Sequence, residues 1–327
     1  MQHDSTPSDP ITFTVVGIDV AKAKLDCHFD PTGQHLQLAN DDSGVAELLT
    51  HLRKLNVQLV VIEATGRMHR HVAAELLQSN IPVALVNPQR AREYARSMGK
   101  LEKTDRVDAE VLAKFGRGAE HQILRKQSEK QVELGDLISR RRALVQMRVA
   151  EKNRLAEAQQ PKLARTQAKQ LLRLIDQQIQ DIDRAIATLV DGDGDWKRKS
   201  DIITSIPGVS TGTANQLLAE LPELGDLSRQ RISKLSGLAP LANDSGPRCG
   251  KRSIRGGRQP VRNALYMAAF NTIKYCERFK RFAKRLSDAG KPFKVVVTAT
   301  MRKLLVTLNQ MVKTDALYNP SLIESLS

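Results

Sequence analysis

Leu59-Val60-Val61-Ile62-Glu63 is an unbroken apolar run closed by an acid, and it decides how the first third of the chain is read. Four consecutive apolar residues, three of them β-branched, predict a strand covered on both faces. An acid directly after such a strand is costly to bury unless it meets solvent, a cation or a partner. The same pattern stands upstream, where Val15-Val16-Gly17-Ile18 leads into Asp19.

Working outward, Thr12 to Ile18 predicts a first strand, and Lys24 to Asp30 a second with Leu25, Cys27 and Phe29 on one face. A turn at Pro31-Thr32-Gly33 leads to a third, His35 to Ala39, alternating Leu36 and Leu38, which makes an antiparallel meander. Ser43 is the expected N-cap of a helix carrying Val45, Leu48, Leu49, Leu52 and Leu55. Beyond the run at 59–63 come a helix around His69 to Gln78 and a strand, Val83 to Val86, closed by Asn87-Pro88. The order β-β-β-α-β-α-β is that of an RNase H-like fold, whose first and fourth strands are neighbours. Asp19 and Glu63 would then converge.

Asp105 and Asp108 stand three residues apart at a predicted helix start and so project from one face. Singly, Asp105 reads as a helix cap and Asp19 as a turn residue. Together, four carboxylates from three segments suit two Mg2+ ions, with Mn2+ an equal fit to hard oxygen donors, serving phosphoryl transfer.

From Ser128 to Val190 the pattern is long, charged and helical, interrupted near Pro161. Leu172, Ile175, Ile179, Ile182, Ile186 and Leu189 step by three and four, a coiled-coil seam. It serves either a dimer partner or the preceding helix, Leu134 to Leu155. Asp191-Gly192-Asp193-Gly194-Asp195 reads as a boundary loop; its aspartate spacing lacks the downstream Glu of a calcium loop. Three domains are expected: 11–127, 128–195 and 196–327.

The last segment is where the charge lies. The chain of 327 residues carries a net charge of +15, yet residues 1–110 hold 12 Lys and Arg against 15 Asp and Glu, leaving the excess to the remainder. That field suits a polyanion, with nucleic acid the leading class. Ile206-Pro207-Gly208-Val209-Ser210 reads as a hairpin opening a helix, with N–H groups around Gly208 suited to a DNA phosphate. Arg248, Lys251, Arg252, Arg255, Arg258 and Arg262 form an acid-free, glycine-punctuated loop, a candidate phosphate clamp. Helices Val261 to Tyr275 and Phe293 to Val312 are expected to bury Leu265, Met267, Val296 and Leu304. No apolar run reaches the roughly 18 residues of a membrane span, and Met1 to Pro10 are polar, so a cytoplasmic location is expected. Cys27, Cys249 and Cys276 are too scattered for a disulfide or zinc framework.

Several blocks resemble one known family. Val16-Gly17-Ile18-Asp19-Val20-Ala21-Lys22, Ile62-Glu63-Ala64-Thr65-Gly66, Val86-Asn87-Pro88 and Lys103-Thr104-Asp105-Arg106-Val107-Asp108-Ala109 look like the signatures of the DEDD transposases of insertion sequences numbered one-hundred-and-ten, with the related Piv-type DNA invertases. Ile206-Pro207-Gly208-Val209, Leu238-Ala239-Pro240 and Asp244-Ser245-Gly246 resemble that family's C-terminal blocks. The resemblance implies a RuvC-like domain whose four acids are Asp19, Glu63, Asp105 and Asp108, and a mostly helical, basic C-terminal domain whose Ser245 attacks DNA and becomes joined to it. It implies donor and target duplexes as substrates and a structured noncoding guide RNA as partner. Without the family, Ser236 and Ser253 compete with Ser245, which lies in an ordinary turn sequence. Acting on two duplexes implies a dimer or tetramer. The rivals are an invertase guided by protein contacts alone, a junction nuclease without a covalent step, and a binding protein without catalysis.

Overall fold

The structure is a computed structural model that describes residues 13–64, 68–99, 104–118, 121, 123–157, 161–242, 250 and 252–319. Contacts group the chain into two compact units, Met1–Ser128 and Glu129–Ser327.

In the first unit, β1 (Thr14–Val20), β2 (Lys24–Asp30) and β3 (Gln34–Ala39) form the expected meander, followed by α1 (Asp42–Leu52), β4 (Val57–Glu63), α2 (Arg70–Gln78), β5 (Val83–Val86), α3 (Pro88–Ser97) and α4 (Asp105–Gly118). The sheet order is β3-β2-β1-β4-β5. β1 pairs antiparallel with β2 and parallel with β4, and β4 pairs parallel with β5. Both the element order and the contact of β1 with β4 are those expected of an RNase H-like domain. Alternation sorts the side chains onto two faces. Val16, Ile18, Val60 and Ile62 pack with Val45 and Leu48 of α1 and Val72 and Leu76 of α2. Val15, Leu59 and Val61 face Ala91 of α3 and Leu112 and Phe115 of α4. The N-cap of α1 is Asp41, not Ser43: its carboxylate accepts from Gly44 N at 2.9 Å and from Ser43 Oγ at 2.7 Å. A carboxylate two residues earlier reaches the first-turn N–H groups and favours the positive helix end.

The second unit opens with α5 (Glu129–Ala156) and α6 (Lys162–Asp191), which pack on each other. Of the predicted seam, Leu172, Ile175, Ile179 and Ile186 are buried; Ile186 clusters with Leu134 and Ile138 of α5, and Ile175 and Ile179 with Leu144. The seam therefore serves the preceding helix of the same chain. α7 (Gly194–Thr204) starts two residues after α6 ends, with Asp193 capping Trp196 N, so the predicted boundary loop is a tight corner. α8 (Thr211–Glu220), α9 (Arg229–Leu235), α10 (Gln259–Tyr275), α11 (Glu277–Asp288) and α12 (Phe293–Lys313) complete an all-helical core centred on Ile206, Leu217, Leu265, Phe279 and Leu304. Leu265, Val296 and Leu304 are buried as expected, but Met267 is 57% exposed. Two positions from Leu265 on a helix is the far side of the axis. Among the described residues no helix is long and apolar enough to cross a membrane.

Candidate functional site

Asp19 is the penultimate residue of β1 and Glu63 the last of β4. The parallel register places Ile18 against Ile62. The acids that follow thus share a face, the one on which α4 lies. Gly17 makes that approach close: a Cβ there would stand 2.1 Å from Ala109 O and 2.4 Å from Ala113 N. Gly116, near the other end of α4, would meet Val61 Cγ2 at 2.5 Å and Val15 Cγ1 at 2.7 Å. Two glycines on opposite partners therefore let α4 lie flat on β1 and β4. Its N-terminus, where Val107 N donates to Thr104 Oγ1 at 3.3 Å, brings Asp105 and Asp108 toward Asp19.

The electrostatics record this convergence. The Asp19 carboxyl is raised from 3.8 to about 6, first by burial and then by the negative charge of Asp105, Asp108, Glu63 and Asp26. Desolvation and like charges both disfavour the ionised form. Asp19 is thereby within electrostatic reach of the other three acids singled out in the sequence.

Two further residues belong to the cluster. Asp26 pairs directly with Asp19 across β1 and β2 and is 2% exposed. Its Oδ1 accepts from Gln37 Nε2 at 2.8 Å. Lys24 Nζ lies 3.1 Å from Asp26 Oδ2 and 2.7 Å from Asp105 Oδ2, so an ammonium group already stands among the carboxylates. In keeping with that, among the described residues no three acidic, His or Cys side chains close around a common point in the manner of a metal cage. The donor set fits a divalent cation nonetheless. Carboxylate oxygens are hard donors, and the raised Asp19 marks an excess of negative charge that such an ion relieves.

Sequence reading passed over Asp26, Lys24 and Gly17. The signals were there: a glycine inside an apolar strand marks close backbone approach, and Asp26 breaks the alternation of Leu25, Cys27 and Phe29 toward the other face. The buried Cys27 thiol is pushed up to about 12 by burial and by Asp26, which suits a packing role.

In the second unit, Ser245, Arg248 and Lys251 lie outside the described residues. Leu241 and Ser253 form a β-bridge that brackets their segment. Ser236 is fully buried, which removes it as a competitor for attack on DNA, whereas Ser253 is exposed. Arg252 and Arg255 are exposed. Arg258 makes a two-pronged bond to the buried Glu223, at 2.6 and 2.7 Å, and also donates to Glu220 O at 2.9 Å. Arg262 donates to Ser236 O at 3.3 Å, to Gly256 O and to Gln259 Oε1, and burial lowers its pKa. Both arginines fasten the start of α10 to the α8 and α9 region. Gly208, at φ +94°, has no room for a Cβ, which would stand 2.7 Å from the Asn271 carbonyl carbon.

Residues 16–160 match the IS110-type DEDD transposase family, and residues 200–284 match the Transposase IS116/IS110/IS902 family. The chain belongs to the IS110 family of DEDD transposases. Family members similar to it include the pilin gene-inverting protein of Moraxella bovis, 28% identical over 302 residues that cover 89% of this chain and 93% of that protein. The transposase of insertion element IS1111A of Coxiella burnetii is 24% identical over 265 residues, 71% of this chain and 70% of its own. A solved T. thermophilus RuvC in complex with a Holliday junction substrate covers 35% of this chain and 100% of that one, at 13% identity and a TM-score of 0.27, too loose a likeness to bear on the fold. As an IS110-family transposase the chain is an enzyme of DNA transposition and recombination.

Proposed function

We propose that this transposase cuts, exchanges and rejoins donor and target DNA through a phosphoserine linkage formed by Ser245, in a metal-dependent reaction directed by a structured guide RNA. The observation that carries the reading is the raised Asp19, which reports Glu63, Asp105 and Asp108 in one electrostatic neighbourhood. Asp19, Glu63, Asp105 and Asp108 would hold the divalent ions, Mg2+ or Mn2+, which would supply neutralising charge to the phosphoryl group. Ser245 Oγ attacks phosphorus, a P–O bond to the neighbouring nucleotide breaks, and the departing oxygen takes up a proton. A hydroxyl of the exchanged strand reverses the step, so rejoining needs no nucleotide triphosphate. Arg252 and Arg255, exposed beside the segment of Ser245, offer charge to the backbone. Two duplexes call for a dimer or tetramer. With the seam of α6 occupied by α5, the exposed Leu171, Leu174 and Met147 of the hairpin are the side chains available for pairing.

Incubating the chain with Mg2+, guide RNA and both duplexes is expected to leave DNA covalently attached to protein, and Ser245→Ala to abolish that adduct. An adduct that persists in the variant moves the nucleophile elsewhere, and no adduct in either protein favours hydrolysis of junctions. A second reading, inversion guided by protein contacts alone, is favoured by the match to 93% of a pilin gene-inverting protein. Recombination that survives complete removal of RNA would select it.

A further inference from the structure

A cluster of cations in the second unit lies on other elements than the loop expected to be the phosphate clamp. Along α11, Arg278, Arg281 and Arg285 recur at three- and four-residue intervals and share one face with Phe282. Lys303 of α12 stands across from them, its Nζ 4.6 Å from the Phe282 ring centroid, and the Arg285 guanidinium carbon lies 5.5 Å from the same ring. These groups, with Pro207, Tyr275, Cys276, Tyr318 and Glu277, line a cavity of about 400 Å3.

Among the described residues that line the cavity, Arg278, Arg281, Arg285 and Lys303 stand beside one acid, Glu277, which pairs with Lys280 at 3.8 Å. Lys303 is held below the ordinary ammonium value by burial and by the charges of Arg278 and Arg285. Cations packed this closely raise the folded state's energy unless an anion joins them. Seven residues of helix separate Arg278 from Arg285, about 10 Å of axis, which spans roughly three steps of one strand of duplex at about 3.4 Å each. A linear polyanion matches that spacing, and guanidinium forks match phosphate oxygens.

We propose that the cavity between α11 and α12 is a docking site for the phosphodiester backbone of a nucleic-acid strand, held by Arg278, Arg281, Arg285 and Lys303 and distinct from the loop at 248–262. The proposal rests on the reading of the chain as a nucleic-acid recombinase. Pro207 of the hairpin before α8 borders the cavity, so the hairpin singled out in the sequence contributes to its wall rather than acting alone.

The test is the salt dependence of binding to a short DNA duplex of arbitrary sequence and, in parallel, to a single-stranded RNA. Arg281 and Arg285 are exposed, so R281Q/R285Q should unfold at the temperature of the unmodified chain. Its affinity for the strand that occupies the cavity should fall about tenfold or more, and the slope of log K against log salt should drop by about 2 for duplex, or somewhat less for single strands. The control R53Q/K54Q removes two exposed charges from the first unit and should leave the slope unchanged. A drop confined to duplex assigns the site to DNA, and one confined to RNA assigns it to RNA. A slope in R281Q/R285Q no lower than that of the control overturns the site and leaves the recombinase reading standing. An unmodified chain that binds neither probe overturns both.

Discussion

Asp19 is the acid on which burial and four other carboxylates act together. A carboxyl raised from 3.8 to about 6 holds its proton more tightly in the folded chain than in the unfolded one. Without divalent metal, the contribution of Asp19 to folded stability is therefore fully present below about pH 4 and is lost as pH rises through about 6. Asp19→Asn removes that dependence. In EDTA the variant should melt above the unmodified chain at neutral pH, and the difference should vanish on acidification to about pH 4. Adding Mg2+ should then raise the Tm of the unmodified chain but not of the variant, since only an ion bound to the folded form stabilises it. A Tm difference independent of pH would show that Asp19 is not the strained acid. Lys24 sets the opposing charge: its ammonium bridges Asp26 and Asp105, and an incoming ion has to displace it or share the acids with it.

At the scale of elements, the site depends on how closely one helix lies on the sheet. α4 brings Asp105 and Asp108 to β1 because Gly17 lets the backbone of α4 approach directly and Gly116 leaves room for the Val15 and Val61 side chains. Gly17→Val should cost about 3 kcal/mol or more, since the clash is with backbone atoms of α4 that have no rotamer to change. In urea unfolding the first unit should lose stability by that amount, and Mg2+ should no longer raise its Tm in any fraction that still folds. Undiminished metal stabilisation in Gly17→Val would separate the acids on α4 from the metal site. α5 and α6 show a different economy. Their heptad spacing is satisfied by a hairpin within the chain, because two antiparallel helices joined by a short turn close the seam with far less loss of freedom than a second chain would.

Across the whole molecule, acids and cations are segregated along the chain. Residues 1–110 are net negative, and the positive excess belongs to the rest, a division that suits the proposed placing of cutting and holding in different regions. Asp105→Asn should therefore abolish strand cleavage while leaving duplex affinity and its salt slope within error of the unmodified protein, measured by a binding titration beside a cleavage assay. Loss of affinity in parallel with cleavage would mean that the acid cluster itself carries DNA binding through its metal.

The sequence by itself determined the strands, their order and the acids that end them. Those signals are local: β-branched runs, alternation, turn residues, and charges placed where apolar runs stop. It also determined the excess of positive charge, which needs only counting. The tertiary structure alone decided the choices between partners. It turned the α6 seam inward onto α5, set Asp26 and Lys24 among the four acids through strand register, and gave Arg258 and Arg262 partners in Glu223 and backbone carbonyls. It also gathered three arginines of α11 around Lys303 from another helix. A side chain's chemistry is written in one residue, but what it meets depends on packing between residues far apart in the chain, and periodicity shows which face is buried without saying against what.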